Sequence, residues 1–193
     1  RQLVDEVGWL LGTQFCVQIV PGSGDRPLAI LAGLPDDVMV AGKELVGQVW
    51  NVPSGRQFDF IVLSVPASAS SGWKQFGNAV ELATKLIPQN GRIIVVADLP
   101  VPEGPGAMML RRSLEPEELL KPLRREPVDD SVEITQLIHA LRHARVYLYS
   151  NIPSDIVEEL GIIAIEDAAE LQKLTTAAGS CAALPHANYA WVG

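Results

Sequence analysis

The spacing of apolar residues changes repeatedly along this chain, and each change marks an element. Leu3, Val4, Val7, Leu10 and Leu11 recur three and four apart, the period of an amphipathic helix over residues 1–11 that Gly12 stops. Residues 14–20 and 28–32 read as strands, joined by the hairpin chemistry of Pro21-Gly22-Ser23-Gly24-Asp25. Gly22 and Gly24 make a turn rather than a phosphate loop, because the Lys-Ser/Thr pair and following helix of that motif are missing. Pro35 and Asp36 open a helix over about 37–49 with Val38, Ala41, Leu45 and Val49 inward, and 51–57 is a polar link.

The densest information lies in residues 58–106. Phe58-Asp59-Phe60-Ile61-Val62-Leu63-Ser64-Val65 is a β-branched apolar run, the mark of a strand buried on both faces. A loop of small residues follows, Pro66-Ala67-Ser68-Ala69-Ser70-Ser71-Gly72. Trp73, Phe76, Val80, Ala83 and Ile87 then form one helical stripe, Pro88-Gln89-Asn90-Gly91 ends it, and Arg92-Ile93-Ile94-Val95-Val96-Ala97 is a second buried strand. Strand, helix and strand at this length make a right-handed crossover between parallel strands.

Residues 99–106 hold three prolines and two glycines and are expected to be irregular. Helices are predicted over 114–124, with Pro116 in its first turn, and from an N-cap at Ser131 to His143, with Ile134, Leu137, Ile138 and Leu141 inward. Strands follow at 146–149, 162–165 and 180–184, separated by a short helix over 156–160 and one capped by Asp167. Residues 186–193 carry no usable period. The pattern predicts an α/β fold: a mostly parallel sheet with helices on both faces, preceded by a helix–β-hairpin–helix segment. The two parts are expected at 1–50 and 51–193.

In open parallel sheets the ligand crevice lies beyond the carboxyl ends of the strands. The loops over 66–72 and 98–106 both open there. The first feeds a helix N-terminus, where free N–H groups suit a carboxylate or phosphate. This makes Ser70, Ser71, Gly72 and Trp73 candidate substrate contacts; the alternative is a tight connection whose serines only cap the helix. Gln75, in the first helical turn, is the next candidate, with Asn78 three residues on. Against them, Lys74, Asn78, Glu81 and Lys85 also fit a solvated outer face. Glu103 and Asp98 are the acids at the crevice, each a base or a helix cap. His139 and His143 have the four-residue spacing of a metal pair, yet Arg142 and Arg145 crowd the same end and no third ligand is near, so no metal is assigned. Basic residues at a helix C-terminus are favoured by the dipole alone.

Composition changes this picture mainly by exclusion. The 193 residues carry a formal net charge of -8, which repels phosphate backbones and argues against nucleic-acid binding. The doublets Arg111-Arg112 and Arg124-Arg125 stand among Glu115, Glu117, Glu118 and Glu126 and read as solvated helix surface. No apolar run is long enough to span a membrane, and the first residues lack the basic-then-apolar order of a signal peptide, so a cytoplasmic location is expected. Cys16 and Cys181 lie in strand-like runs and are expected as buried free thiols. The helical period is already running at Arg1, as in a piece of a longer protein.

Several stretches combine into a recognisable order. Val4-Asp5-Glu6-Val7 precedes Leu11-Gly12-Thr13-Gln14-Phe15-Cys16, and Ala32-Gly33 closes the hairpin. Asp59-Phe60-Ile61-Val62-Leu63-Ser64 leads to the Gln75 helix, followed by Asn90-Gly91-Arg92-Ile93-Ile94, Glu103-Gly104-Pro105-Gly106, Tyr149-Ser150, Ile152-Pro153 and Gly161. This order resembles the C-terminal half of the nickel-dependent lactate racemase family. The resemblance implies two α/β domains with the active site between them, and racemisation or epimerisation of a small 2-hydroxy acid by hydride transfer. It implies a nickel-pincer pyridinium nucleotide held mainly by the missing N-terminal domain, which would also supply the proton-transfer histidines. This chain alone would then be inactive. Gln75 matches the family's substrate-side Gln, and the Glu103–Gly104 loop its Glu-Gly-x-Gly loop. Asn78 stands where the family has a Lys, which implies either a substrate other than lactate or a homologue without catalysis. Two readings of other classes stand beside it: a noncatalytic binding or scaffolding module, and a nucleotide-binding domain using the serine/alanine loop.

Overall fold

A computed structural model describes residues 6–8, 10–22, 26–53, 55–66, 72–176 and 179–193. The chain forms two compact units, Arg1–Val52 and Pro53–Gly193.

In the first unit, Glu6, Val7, Gly8 and Leu10 are helical, and Gly12 turns the chain at φ 64°. Strands β1 (Cys16–Pro21) and β2 (Pro27–Gly33) pair antiparallel with Ile19 opposite Ile30. Helix α1 (Pro35–Trp50) begins with Pro35 in its first turn and Asp36 and Asp37 near its positive end, both favourable there. It packs on one hairpin face, where a Cβ on Gly42 would stand 2.7 Å from Oε1 of Gln18. Val20 and Val38 are buried, and the Trp50 indole N–H donates to the Pro21 carbonyl at 2.8 Å. Val49, expected inward, is 48% exposed, because Trp50 takes the last inward position of the helix. The other hairpin face is bare and apolar: Phe15, Val17, Ile19, Leu28 and Ile30 are all exposed. A short strand β3 (Asn51–Val52) ends the unit.

The second unit is built on five strands: β4 (Phe60–Val65), β5 (Arg92–Ala97), β6 (Arg145–Tyr149), β7 (Ile163–Ile165) and β8 (Cys181–Leu184). Their order is β7-β6-β5-β4-β8, and every pairing is parallel. Phe60, Ile61, Leu63, Ile93, Ile94 and Val95 are buried, as expected for central strands covered on both faces. Between β4 and β5 runs α2 (Gly72–Thr84), which buries Phe76, Val80 and Ala83. The β5–β6 crossover holds α3 (Pro105–Arg111), a 3-10 turn (Pro116–Leu119), α4 (Leu120–Arg125) and α5 (Ser131–His143). Helices α2 and α5 touch closely, and a Cβ on Gly77 would stand 3.0 Å from the Glu133 Cα. After α6 (Ser154–Glu159) and β7, helix α7 (Ala168–Thr176) sets Leu171 and Leu174 over Phe60, Ile94 and Ile165. This last crossover carries the chain back past β4 and leaves β8 on the other side of it. Strand β9 (Trp191–Val192) closes the chain.

Four local expectations change. Residues 105–111 are helical, although the prolines and glycines of 99–106 argue against regular structure there. Pro105 occupies the first turn, where no N–H bond is lost, and the Asp130 carboxylate accepts from the N–H groups of Gly106 (2.7 Å) and Ala107 (2.8 Å). The expected 114–124 helix is the 3-10 turn plus α4, and Leu114 is 99% exposed. Ser131 is not the cap of α5: Asp130 holds that position, and the Ser131 hydroxyl turns back to accept from the Val128 N–H at 2.6 Å. Neither cysteine is fully buried; Cys16 is half-buried and Cys181 exposed, because β1 has one open face and β8 is an edge strand. Among the described residues no helix is long and apolar enough to cross a membrane.

Candidate functional site

At the carboxyl edge of the sheet, the apolar strand runs end and polar residues take over where the backbone leaves the ladder. There a cleft of about 480 Å³ opens, lined by Ser64 from β4, Asp98 just past β5, Tyr149, Ser150 and Asn151 at the end of β6, and Glu166 past β7. A second hollow of about 290 Å³ shares Ser150 and Glu166 with it and runs on to Ile152, Pro153 and Val157. This is the edge at which open parallel sheets present ligands.

Several of these polar groups are held by a neighbour. The Asn151 side chain donates to Oδ1 of Asp98 at 3.0 Å. The Ser150 hydroxyl accepts from the Ile152 N–H at 3.2 Å, and the Ser64 hydroxyl from the His186 N–H at 3.3 Å. The Ser64 carbonyl accepts from Ala187, which is buried, and His186 itself adopts φ 54°. That left-handed backbone at a non-glycine residue is held by the two Ser64 bonds beside the cleft. Past β7, the Glu166 N–H donates to Glu170, whose own N–H donates to Asp167 Oδ1 at 2.7 Å, so the cap of α7 also fixes the Glu166 backbone. Among the described residues the lining carries two carboxylates, three hydroxyls and an amide, and no Lys, Arg or His.

The amino edge of the sheet is tied differently. Asp59 Oδ2 accepts from the Ser180 N–H at 2.6 Å and from its hydroxyl at 2.9 Å. The Ser180 backbone N–H, then its hydroxyl, and Arg92 beyond them hold the Asp59 carboxyl below the ordinary aspartate value.

Gly72 and Trp73, where α2 begins, adjoin the loop that follows β5. The Trp73 indole N–H donates to the Pro100 carbonyl at 2.8 Å, and a Cβ on Gly72 would lie 3.0 Å from Leu99. Trp73 also meets the Phe76 ring edge-on at 5.1 Å. Ser70 and Ser71 lie outside the described residues. Gln75 is half-buried in the first turn of α2. Asn78 sits at the α2–α5 seam, where its Oδ1 accepts from the Gln136 amide at 3.1 Å, an amide that also reaches Glu81. Glu103 is exposed, and Gly104 is the place where the Asp130 carboxylate lies, leaving no room for a Cβ. Of the predicted positions, Asp98 lines the cleft; Gly72, Trp73, Gln75, Asn78, Glu103 and Gly104 are not among its lining residues. Ser64, Tyr149 and Ser150 belong to the stretches that carry the resemblance but are not among the substrate candidates, and Asn151 and Glu166 are in neither set. Their signal was present: each is at or just beyond the carboxyl end of an apolar strand run.

His139 and His143 both lie toward the C-terminal end of α5. His143 Nε2 lies 3.0 Å from the Ile87 carbonyl, and Gln89 donates to the Arg142 carbonyl, so this end of α5 is tied to the turn before β5. Among the described residues no three His, Cys, Asp or Glu side chains converge as a metal site.

No protein-family model and no curated protein matches the chain. Solved structures do. The lactate racemase apoprotein from Thermoanaerobacterium thermosaccharolyticum superposes with a TM-score of 0.78 at 14% identity, over 98% of this chain and 48% of that one. A protein from Thermotoga maritima superposes with a TM-score of 0.59 at 15% identity, over 87% of this chain and 46% of that one. The chain thus spans about half the length of each. Identity this low speaks to the fold alone, and the α/β fold seen here, five parallel strands with helices on both faces, is a lactate racemase-like fold.

Proposed function

We propose that this chain is the substrate-side half of a racemase- or epimerase-like protein that inverts a hydroxyl-bearing carbon of a 2-hydroxy acid by hydride transfer. The observation that carries this reading is the superposition on lactate racemase across 98% of the chain but 48% of that protein. Two features of the molecule support it. The cleft opens at the carboxyl edge, where a second domain would close over it and exclude water. The bare face of the β1–β2 hairpin, with five exposed large apolar side chains, is the kind of surface a further part of the protein covers.

A nickel-pincer pyridinium nucleotide does not fit the described residues of this chain. Among the described residues no three candidate metal ligands converge, and the cleft lining offers a nucleotide phosphate two carboxylates and no cation. The reading therefore leaves that group to a preceding N-terminal domain. This chain's part is to bind and orient: Asp98, steadied by Asn151, and the hydroxyls of Tyr149 and Ser150 offer hydrogen bonds to a substrate hydroxyl. Such an assembly holds a small molecule, not a nucleic acid or a membrane, and works in the cytoplasm.

The test is racemisation of a panel of 2-hydroxy acids by the full-length, nickel-loaded protein, followed by chiral chromatography. Interconversion of at least one enantiomer or epimer pair is expected. A folded, nickel-loaded protein that interconverts none refutes the reading. One observation favours a second reading, a noncatalytic module of the same descent. Asn78 stands where the resemblance expects a Lys, and Gln136 engages its amide oxygen. A preceding segment without histidines and a lysine would decide for the module.

A further inference from the structure

We infer that a hollow between the C-terminal end of α5 and the turn before β5 is a seat for a small tetrahedral oxyanion, inorganic phosphate. It lies at the amino edge of the sheet, opposite the cleft, and stands apart from the reading of the carboxyl edge.

The lining is the first reason. Gln89, His139, Arg142 and His143 surround about 190 Å³, so a guanidinium, two imidazoles and an amide meet there without a carboxylate. All four belong to residues 72–176, which are described without a gap. Pockets that enclose whole organic ligands run to roughly 300–1,000 Å³, so this room suits an ion and its water. A metal ion is the poorer match, because Arg142 repels it and no three acidic, His or Cys side chains converge among the described residues. Charge beyond the lining is the second reason. Arg145, three residues after Arg142, is the direct cross-strand partner of Arg92. Like charges placed opposite one another are unfavourable, and an anion beside them lowers that cost. Their positive field is local in a chain whose formal net charge is -8.

Hydrogen bonding is the third reason. The helix dipole favours cations at this end, but it does not gather them with Gln89 around one hollow. The last carbonyls of α5 already have donors: Arg142 accepts from the Gln89 amide and His143 from the Asn90 N–H, both at 2.7 Å. The Ile87 carbonyl, 3.0 Å from His143 Nε2, can only accept, so Nε2 carries the proton and Nδ1 is left as an acceptor. Arg142 Nε faces Glu117 at 3.2 Å, and a guanidinium with five N–H groups keeps others to donate. Phosphate matches this mixture. Its unprotonated oxygens accept from Arg142 and His139, and the O–H that it retains at neutral pH donates to Nδ1 of His143. Sulfate has no such proton to give.

The experiment is a titration of the isotope-labelled 193-residue chain with sodium phosphate, sodium sulfate and sodium chloride, at neutral pH and matched ionic strength, followed by amide and imidazole chemical shifts. Saturable shifts at millimolar phosphate, centred on residues 88–91 and 139–145, are expected, with weaker binding of sulfate and none of chloride. Arg142→Gln, which removes a charged donor, should weaken phosphate binding about tenfold or more. Should that variant fail to fold, His139→Ala at its exposed position serves in its place. Phosphate affinity unchanged in the folded variant, no saturable shift with phosphate, shifts centred on Ser150 and Glu166 instead, or sulfate bound as tightly as phosphate each overturn the inference. Its failure leaves the racemase reading standing, because that reading makes no use of the amino edge, and absence of racemisation likewise leaves this site standing.

Discussion

Asp130 offers a direct way to decide what the Glu103-Gly104-Pro105-Gly106 stretch does. Its carboxylate accepts from two consecutive N–H groups at the start of α3, Gly106 at 2.7 Å and Ala107 at 2.8 Å. Both residues are buried, so removing the acceptor leaves donors that water reaches poorly. Loss of a helix cap costs about 0.5–2 kcal/mol, and each bond to a charged acceptor is at the upper end of the hydrogen-bond range. Asp130→Ala should therefore cost about 2–3 kcal/mol, a fall of about 4–12 °C in Tm for a domain of this size. Gly104→Ala in the native background drives a Cβ into the same carboxylate. With Asp130→Ala already in place, that clash is relieved, and the second substitution should cost at least about 1 kcal/mol less than it does alone. Thermal and urea unfolding of the four proteins measures the cycle. Additivity within about 0.5 kcal/mol would refute the assignment of Gly104 and Gly106 as the seat of Asp130. Unchanged stability with weakened ligand binding would instead make this loop part of the site.

Two glycines in helices should respond in opposite directions: Gly47→Ala, where a Cβ meets nothing within 4 Å, should stabilise the chain by about 0.5–1 kcal/mol, whereas Gly77→Ala, against Glu133 and Gln136, should destabilise it by about 1–3 kcal/mol, both read by urea unfolding. Because the folded-state Asp59 carboxyl lies below its ordinary 3.8, its contribution is present above that value and lost as pH falls through the folded one. Asp59→Asn should then be less stable than wild type at neutral pH, with the gap closing below about pH 4, and a gap independent of pH would refute the role of the Ser180 clamp. Trp73→Phe, which removes the bond to the Pro100 carbonyl while keeping a ring, should cost about 1 kcal/mol and loosen the 98–104 backbone in hydrogen exchange.

The local pattern of residues was enough to place the strands and to order them as parallel. Continuous β-branched runs such as 60–65 and 92–97 have one comfortable setting, a strand covered on both faces, and a helix of α2's length between them leaves one handedness. The broken periodicity of 14–33 likewise announced a hairpin, and Asp167 announced the start of α7, because a cap acts over three residues. What only the tertiary structure decided involves partners far apart in the chain. Helix α3 depends on a carboxylate 24 positions later, which the local pattern of Pro105, Gly106 and the prolines before them does not show. The position of β8 beside β4, 121 residues away through the Asp59–Ser180 clamp, is a choice of sheet edge that no local period encodes. The cleft shows the same division. That ligands meet the carboxyl edge follows from strand direction alone. Which groups stand together there, the Asp98 side chain with that of Asn151 and the Ser64 hydroxyl with the His186 backbone N–H, follows from strand order, because neighbours across a sheet are set by pairing and not by distance along the chain.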